Sequence, residues 1–134
     1  MSEKNRQVVQ RGFEARSAGR IVDWMETLDP NIEWDISAYP VEGFPERGSG
    51  RKEFVAYVTQ YWSVWNDYSQ DVKEMIDAGK DVVVVLHEHA RLRHSDADLE
   101  RDVATVWTIE NGLRVRFRAF GSRAEALRAV GLEN

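Results

Sequence analysis

The feature that most constrains the fold of this chain is a change in hydrophobic period near residue 66. Apolar residues recur at helical spacing before that point, and after it they alternate with polar ones as in strands. The alternating runs cover residues 68–78, 81–94, 99–110 and 113–120, separated by Ala78-Gly79, Ser95-Asp96 and Asn111-Gly112. Asn-Gly between two such runs is a strong hairpin signal. Helices followed by an antiparallel meander predict an α+β fold, in which helices cover one face of a curved sheet and enclose a pocket.

The part of the chain before residue 66 predicts three helices and one strand. A helix over 3–18 ends at Ala18-Gly19, and a short one over 21–28 ends at Asp29-Pro30, because proline disfavours helical backbone in the residue before it. Residues 31–37 alternate like a half-buried strand. The third helix has the strongest pattern, a wide aromatic stripe formed by Phe54, Tyr57, Val58, Tyr61, Trp62 and Trp65.

A long loop over residues 38–50 precedes this third helix. It contains Pro40, Pro45 and three glycines, which are turn and loop residues. Long loops in compact domains are often lids, and Tyr39 and Phe44 give this one aromatic side chains that can close a pocket. We therefore expect the loop to be a lid.

The C-terminal segment predicts a fourth helix. Ser122 and Glu125 have the spacing of a capping box, and the helix is expected to run through Ala129 and to stop at Gly131.

Length and composition exclude several classes of function. With 134 residues, 43% of them hydrophobic and 31% charged, the chain is expected to form one folded domain over residues 1–134. It has no cysteine, which excludes disulfides, thiolate metal sites and a cysteine nucleophile. A net charge of −5 without a basic cluster argues against nucleic acid as a partner. No apolar signal segment opens the sequence and the apolar run 82–86 is too short to span a bilayer, so we expect a cytoplasmic protein without a membrane partner.

Several short motifs occur in an order that resembles the SnoaL-like branch of the nuclear-transport-factor-2-like (NTF2-like) superfamily. They are Ala18-Gly19-Arg20-Ile21, Asp29-Pro30-Asn31-Ile32-Glu33-Trp34, Glu42-Gly43, the strand after Ala78-Gly79-Lys80-Asp81, Thr108-Ile109-Glu110-Asn111-Gly112 and the segment 123–132. The resemblance implies a cone-shaped α+β barrel, a homodimer, and a pocket between the concave sheet and the helices. The superfamily includes ketosteroid isomerases, polyketide cyclases and epoxide hydrolases, so this fold does not fix the chemistry.

The residues that ketosteroid isomerases of this superfamily use are not matched. The segment 8–11 is similar to an isomerase segment in which the next residue is the oxyanion-hole tyrosine, whereas here it is Gly12. The isomerase's general-base aspartate falls at about Trp34, and its protonated aspartic acid at about Thr105. A steroid-isomerase mechanism would lack all three groups, and we reject it.

The catalytic residues of the superfamily's epoxide hydrolases and cyclases are not matched either. The Arg-x-Asp strand of the epoxide hydrolases falls near His87-Glu88-His89, and their second aspartate falls near Arg118. The acid–base aspartate of the cyclases falls at Arg116 or Arg118. No catalytic residue is therefore transferred from these enzymes.

The strand over 81–94 holds the candidate acid–base residues His87, Glu88 and His89. Successive side chains of a strand point to opposite faces of the sheet, so Glu88 is on one face and the two histidines are on the other. The run 82–86 is apolar on both faces and leaves open which side meets the pocket. Inward histidines would suit a general base near neutral pH, and an inward Glu88 would suit a proton shuttle; alternatively the histidines are solvated or line a dimer surface. With His94 as the only further histidine, we expect no metal site.

Three arginines, Arg114, Arg116 and Arg118, lie in line on the last strand. Burying three guanidiniums is costly without carboxylates or an anionic ligand. They either face water or a dimer edge, or they bind something negative, for which a carboxylate- or enolate-bearing ligand would be suitable. Arg118 is a candidate catalytic residue, and Arg116 is a candidate ligand contact.

Most of the large aromatic residues are expected to be core. Strand parity favours Trp34, Trp107 and Phe120 as walls of a pocket for a flat or hydrophobic molecule, with Thr105 as a further ligand contact. The chain has no Gly-x-Ser-x-Gly motif and no glycine-rich phosphate loop, which argues against acyl-serine chemistry and nucleotide binding. We expect no cofactor.

Two hypotheses follow for the function. The chain is a pocket protein for a hydrophobic or anionic small molecule, acting as a cofactor-independent isomerase, cyclase or hydrolase through acid–base groups among His87, Glu88, His89 and Arg118. The alternative is a non-catalytic ligand-binding or protein-interaction module that has lost the catalytic residues. The absence of the family carboxylates favours the alternative, and the cluster of His, Glu and Arg favours the enzyme.

Overall fold

A computed structural model describes residues 2–41, 43–63, 65–92 and 97–132. In chain order these residues form the helices and strands α1 Ser2–Ser17, α2 Ile21–Glu26, β1 Leu28–Asp35, β2 Arg47–Ser49, α3 Arg51–Ser63, β3 Trp65–Ala78, β4 Asp81–Leu92, β5 Asp98–Glu110, β6 Leu113–Phe120 and α4 Arg123–Ala129. No helix among the described residues is long and apolar enough to cross a membrane. The expected α+β class is confirmed, as a curved and unclosed six-stranded sheet with helices.

The strands lie in the order β2-β1-β6-β5-β4-β3. Strands β3 to β6 form the expected antiparallel meander, and β1 pairs with β6 in parallel, a pairing that was not predicted from the sequence. Strand β2 was not predicted; it lies inside the proline- and glycine-rich loop and pairs with the edge of β1. The inner face of the sheet meets α1, α2 and α3.

Strand β1 begins three residues before its predicted start. Its register with β6 shifts between Leu28 and Glu33, and Pro30 lies in that irregular stretch. Proline has no N–H to donate, so it is tolerated in a strand where regular pairing is interrupted.

The Asn-Gly hairpin is confirmed, and a bulge follows it. Asn111 and Gly112 have φ values of 53° and 78°, as a two-residue hairpin turn of type I′ requires. Ile109 pairs with Arg114 but Thr108 pairs with Arg116, so β6 carries one extra residue at this point. A bulge re-aims the side chains that follow it. Arg114 therefore shares a face with Ile109 and not with Arg116.

Apolar residues are buried on both faces of the sheet. Helix α4 packs Ala126 and Leu127 onto the outer face, against Val83, Ala104 and Val106. This explains why the run 82–86 is apolar on both sides. Ser122 is confirmed as the N-cap of α4, since the backbone N–H of Glu125 donates to Oγ of Ser122 at 3.2 Å, which is the first of the two bonds of a capping box.

Candidate functional site

A cavity of about 140 Å³ lies between the inner face of the sheet and the helices. Its walls are mostly apolar and aromatic, and they include Phe13, Trp24, Phe54, Val58, Trp62, Leu86, Val103, Trp107 and Phe117. An engineered apolar cavity of similar size, about 150 Å³, binds benzene. The space therefore fits a small ring compound.

The loop over 38–50 closes one side of this cavity. Tyr39, Val41 and Phe44 line it, and the ring of Phe44 packs against those of Tyr57 and Tyr61, with centroid distances of 5.4 and 6.1 Å. The loop is therefore placed where a lid is needed. Its movement stays a prediction.

Glu88 is the candidate acid–base residue that faces the cavity. It shares the inner face of β4 with Leu86 and Ala90, and its exposed fraction is 5%. Its cross-strand neighbour is Arg101 on β5, whose inward row continues through Val103 to Thr105 and Trp107. The sequence left open which face of this strand meets the pocket, and the presence of Leu86 and Glu88 in the cavity wall decides it.

Four polar side chains surround the Glu88 carboxylate. Nε of Arg101 donates to Oε1 at 2.8 Å, and the Tyr68 hydroxyl donates to Oε2. Gln70 donates to the Tyr68 oxygen at 3.0 Å, and Arg101 also donates to the Tyr61 hydroxyl. Each carboxylate oxygen thus has a fixed donor inside an apolar cavity.

The two tyrosines remain protonated at neutral pH. Burial, and then the nearby charge of Glu88, raise the pKa of Tyr61 to about 12 and raise the pKa of Tyr68 further. Both hydroxyls are therefore hydrogen-bond donors under ordinary conditions.

His87 and His89 lie on the outer face, away from the cavity. The His87 ring contacts Asp102 at 2.8 Å and Glu100 at 3.1 Å. Hydrogen bonds to these carboxylates, Asp102 first, raise its pKa. Among the described residues no group of three His, Asp or Glu side chains is placed to hold a metal ion; His94 lies outside these residues.

Arg114 is fully buried in the cavity wall, with an exposed fraction of 1%. Its Nε donates to Oγ1 of Thr27 at 3.0 Å, its Nη2 donates to the same oxygen, and its guanidinium carbon lies 4.3 Å from the Trp107 ring centre. A Cβ at Gly12 would lie 2.6 Å from Nη2. The glycine at the position where the family resemblance suggested a tyrosine therefore makes room for this guanidinium. Burial lowers the pKa of Arg114 to about 9, so the group is still charged at neutral pH.

The other predicted site residues divide between the cavity and the rest of the fold. Thr105 and Trp107 line the cavity as expected. Trp34 is buried beside it, with its ring tilted against Phe54 and edge-on to Tyr57, but it is not part of the cavity wall.

Three residues of β6 that were predicted to be part of the site lie away from the cavity. Arg116 is exposed, and Arg118 lies on the outer face with Nη2 3.7 Å from Oδ2 of Asp81. Phe120 also points outward, because it has the same strand parity as Arg118, and the outer face there is covered by α4.

The residues that hold Glu88, above all Arg101 and Tyr68, were not predicted from the sequence. Arg16 was not predicted either; it lines the cavity with its guanidinium 3.4 Å from the Trp62 ring centre. The signal that could have found Arg101 is the β4–β5 register, which sets it opposite Glu88.

Comparisons with known proteins identify relatives of this fold. A family model of the SnoaL-like domain matches residues 9–117. A comparison with curated proteins found no match. An NTF2-like protein of unknown function from Burkholderia pseudomallei is 21% identical, with a TM-score of 0.77 over 96% of this chain and 98% of that one. An NTF2-like protein from Burkholderia thailandensis is 26% identical, with a TM-score of 0.74 over 93% and 95%. TerC, co-crystallised with polyporic acid, is 15% identical, with a TM-score of 0.74 over 95% and 98%.

Proposed function

The chain belongs to the SnoaL-like domain family, and we propose that it binds a ring-sized, largely apolar molecule and transfers a proton through Glu88. The observation that carries the proposal is a buried carboxylate in the wall of an aromatic cavity. The reaction class would be a cofactor-independent isomerisation, cyclisation or hydrolysis.

The surroundings of Glu88 support a role in proton transfer. The side chain of Glu88 is almost fully buried, so its partner in a proton transfer would be a molecule in the cavity rather than bulk water. Arg101 and Tyr68 hold the carboxylate in one orientation, which is a condition for efficient transfer. His87, His89 and Arg118 have no access to the cavity, so Glu88 is the candidate that remains from the original four.

A second candidate function is supported by the same contacts. Both oxygens of Glu88 already accept hydrogen bonds from protein groups, as in a carboxylate with a structural role. By the resemblance given above, catalytic carboxylates of the superfamily's ketosteroid isomerases and epoxide hydrolases fall at about Trp34, about Thr105 and near Arg118, where this chain has no carboxylate. These observations favour a binding module without catalysis.

Ring opening of 5-nitrobenzisoxazole separates the two functions. A base starts this reaction by removing one proton from carbon, and the nitrophenolate product is coloured, so the assay needs no knowledge of the natural substrate. Glu88→Gln keeps the shape of the side chain and removes its basicity. Glu100→Gln is the matched control, because Glu100 is exposed on the outer face.

We expect the wild-type protein and Glu100→Gln to open the ring equally fast, and Glu88→Gln to lose about 100-fold or more of the rate. No rate above buffer in the wild type, or equal rates in all three proteins, would contradict proton transfer by Glu88 and favour the binding module.

A further inference from the structure

We infer that the ligand of this cavity carries an anionic oxygen, as in a carboxylate, enolate or phenolate, and that Arg114 binds it. The inference rests on the proposed small-molecule pocket and names the class of molecule that the pocket accepts. It is carried by the charge and the hydrogen-bonding groups of the cavity wall.

The first observation is a buried cation without a counter-charge. Arg114 forms no ion pair within the described part of the chain, and burial alone accounts for its lowered pKa. Buried charges in proteins are normally paired or bound to an opposite charge. Of the five N–H donors of a guanidinium, the described residues receive two, both at the Thr27 hydroxyl. The remaining donors suit an anionic oxygen.

Glu88 does not supply the missing charge. Its two oxygens are bonded to Arg101 and Tyr68. Along β5, the residue opposite Glu88 is Arg101 and the residue opposite Arg114 is Ile109, eight residues further on. Among the described residues Glu88 and Arg114 form no ion pair with each other, and burial is the one cause of the lowered pKa of Arg114, with no contribution from a nearby carboxylate.

The second observation is a set of buried polar atoms without partners. Nε of Arg16, Oγ1 of Thr105 and Nε1 of Trp107 are buried, line the same cavity and form no hydrogen bond with any described residue. All three can donate a hydrogen bond, and two of them can only donate. A ligand that satisfies such a wall has to be rich in acceptor oxygens.

The third observation is that the position of Arg114 is built into the fold. The bulge in β6 turns this residue inward, and Gly12 leaves room for its guanidinium. The Thr27 hydroxyl donates to the carbonyl of Trp24 at 2.7 Å, which points its lone pairs toward Arg114. The Trp107 ring covers one side of the guanidinium.

Calorimetric titration with benzoate and benzamide tests the inference, because the two probes share a shape and differ in charge. Arg114→Met removes the cation, Arg114→Lys keeps the charge without the planar fork, and Arg116→Met removes an exposed arginine of the same strand as a control. Circular dichroism establishes that each variant is folded.

We expect the wild type and Arg116→Met to bind benzoate at least about tenfold more tightly than benzamide. Arg114→Met is expected to lose this preference while its benzamide affinity is kept, and Arg114→Lys to keep part of it. Equal binding of both probes by the wild type, or a preference that survives in Arg114→Met, would overturn the role of Arg114 and leave the pocket function standing. Binding of neither probe by the wild type would overturn both.

Discussion

Replacing Arg114 by methionine is expected to leave the free energy of unfolding nearly unchanged, although the side chain is fully buried. At about 1.36 kcal/mol per pKa unit, the lowered pKa of this group corresponds to about 5 kcal/mol that folding loses by burying its charge. Arg114→Met has no charge to bury, so this cost is absent in the variant. The variant lacks the two hydrogen bonds to Thr27, which contribute about 1.5 kcal/mol each, and the contact of the guanidinium with the Trp107 ring, which contributes about 2 kcal/mol. Enlarging the cavity adds about 1 kcal/mol, so the two sides cancel to within about 2 kcal/mol.

The lowered pKa of Arg114 also determines how the stability difference between Arg114→Met and the wild type changes with pH. The unfolded chain keeps the ordinary arginine pKa, which is higher than the folded value of about 9. Above that pH the unfolded chain holds more protons than the folded one, so the cost of burying the charge is full at neutral pH and declines above pH 9. The stability of Arg114→Met relative to the wild type is therefore expected to fall as the pH rises beyond 9.

Urea unfolding followed by circular dichroism measures both effects, at one protein concentration because a homodimer is expected. Removing one partner of a buried ion pair typically costs 3–5 kcal/mol. A loss of that size in Arg114→Met at pH 7, or a relative stability that rises above pH 9, would refute the reasoning that Arg114 is an uncompensated cation.

Two further predictions concern packing and the outer face. Gly48→Ala would place a Cβ 2.2 Å from the Trp34 ring, which Phe54 and Tyr57 hold in position, so we expect a loss of about 1–3 kcal/mol in urea unfolding; an unchanged midpoint would contradict this packing. His87 is expected to titrate above about 6.5 by NMR, and Asp102→Asn should lower its pKa. Since the folded pKa is raised, the stabilisation from its carboxylate partners is present below the unfolded pKa and is lost as the pH rises through the folded value. A wild-type midpoint at or below 6.5 would show that these contacts do not form.

Local signals in the sequence predicted much of the fold. The Asn111-Gly112 turn, the Ser122 cap and the aromatic stripe of α3 each depend on residues close together in the chain, and each is present. Trp65 ends the predicted stripe but begins β3, since α3 stops at Ser63. Strand β2 has only three residues and lies among glycines and prolines, so it has no detectable period.

The site was harder to predict because it depends on register between distant strands. The side chain of Glu88 faces the helices, but apolar residues on both faces of β4 conceal this in the sequence. Its partner Arg101 comes from the pairing of β4 with β5. One bulge separates Arg114 from Arg116, and alternation alone assigns them to the same face. Phe120 was predicted from strand parity to line the cavity. It points outward instead, where α4 covers it, and this contact between distant parts of the fold is not visible in the local sequence pattern.

The most direct test of the cavity as a ligand site is a crystal structure of the protein grown with benzoate. We predict electron density for the ring beside Trp107, within the aromatic walls, and for the carboxylate within hydrogen-bonding distance of the Arg114 guanidinium. Benzoate found only on the protein surface, or a cavity filled by the protein's own side chains, would contradict the assignment of this cavity as a binding site for a small organic anion.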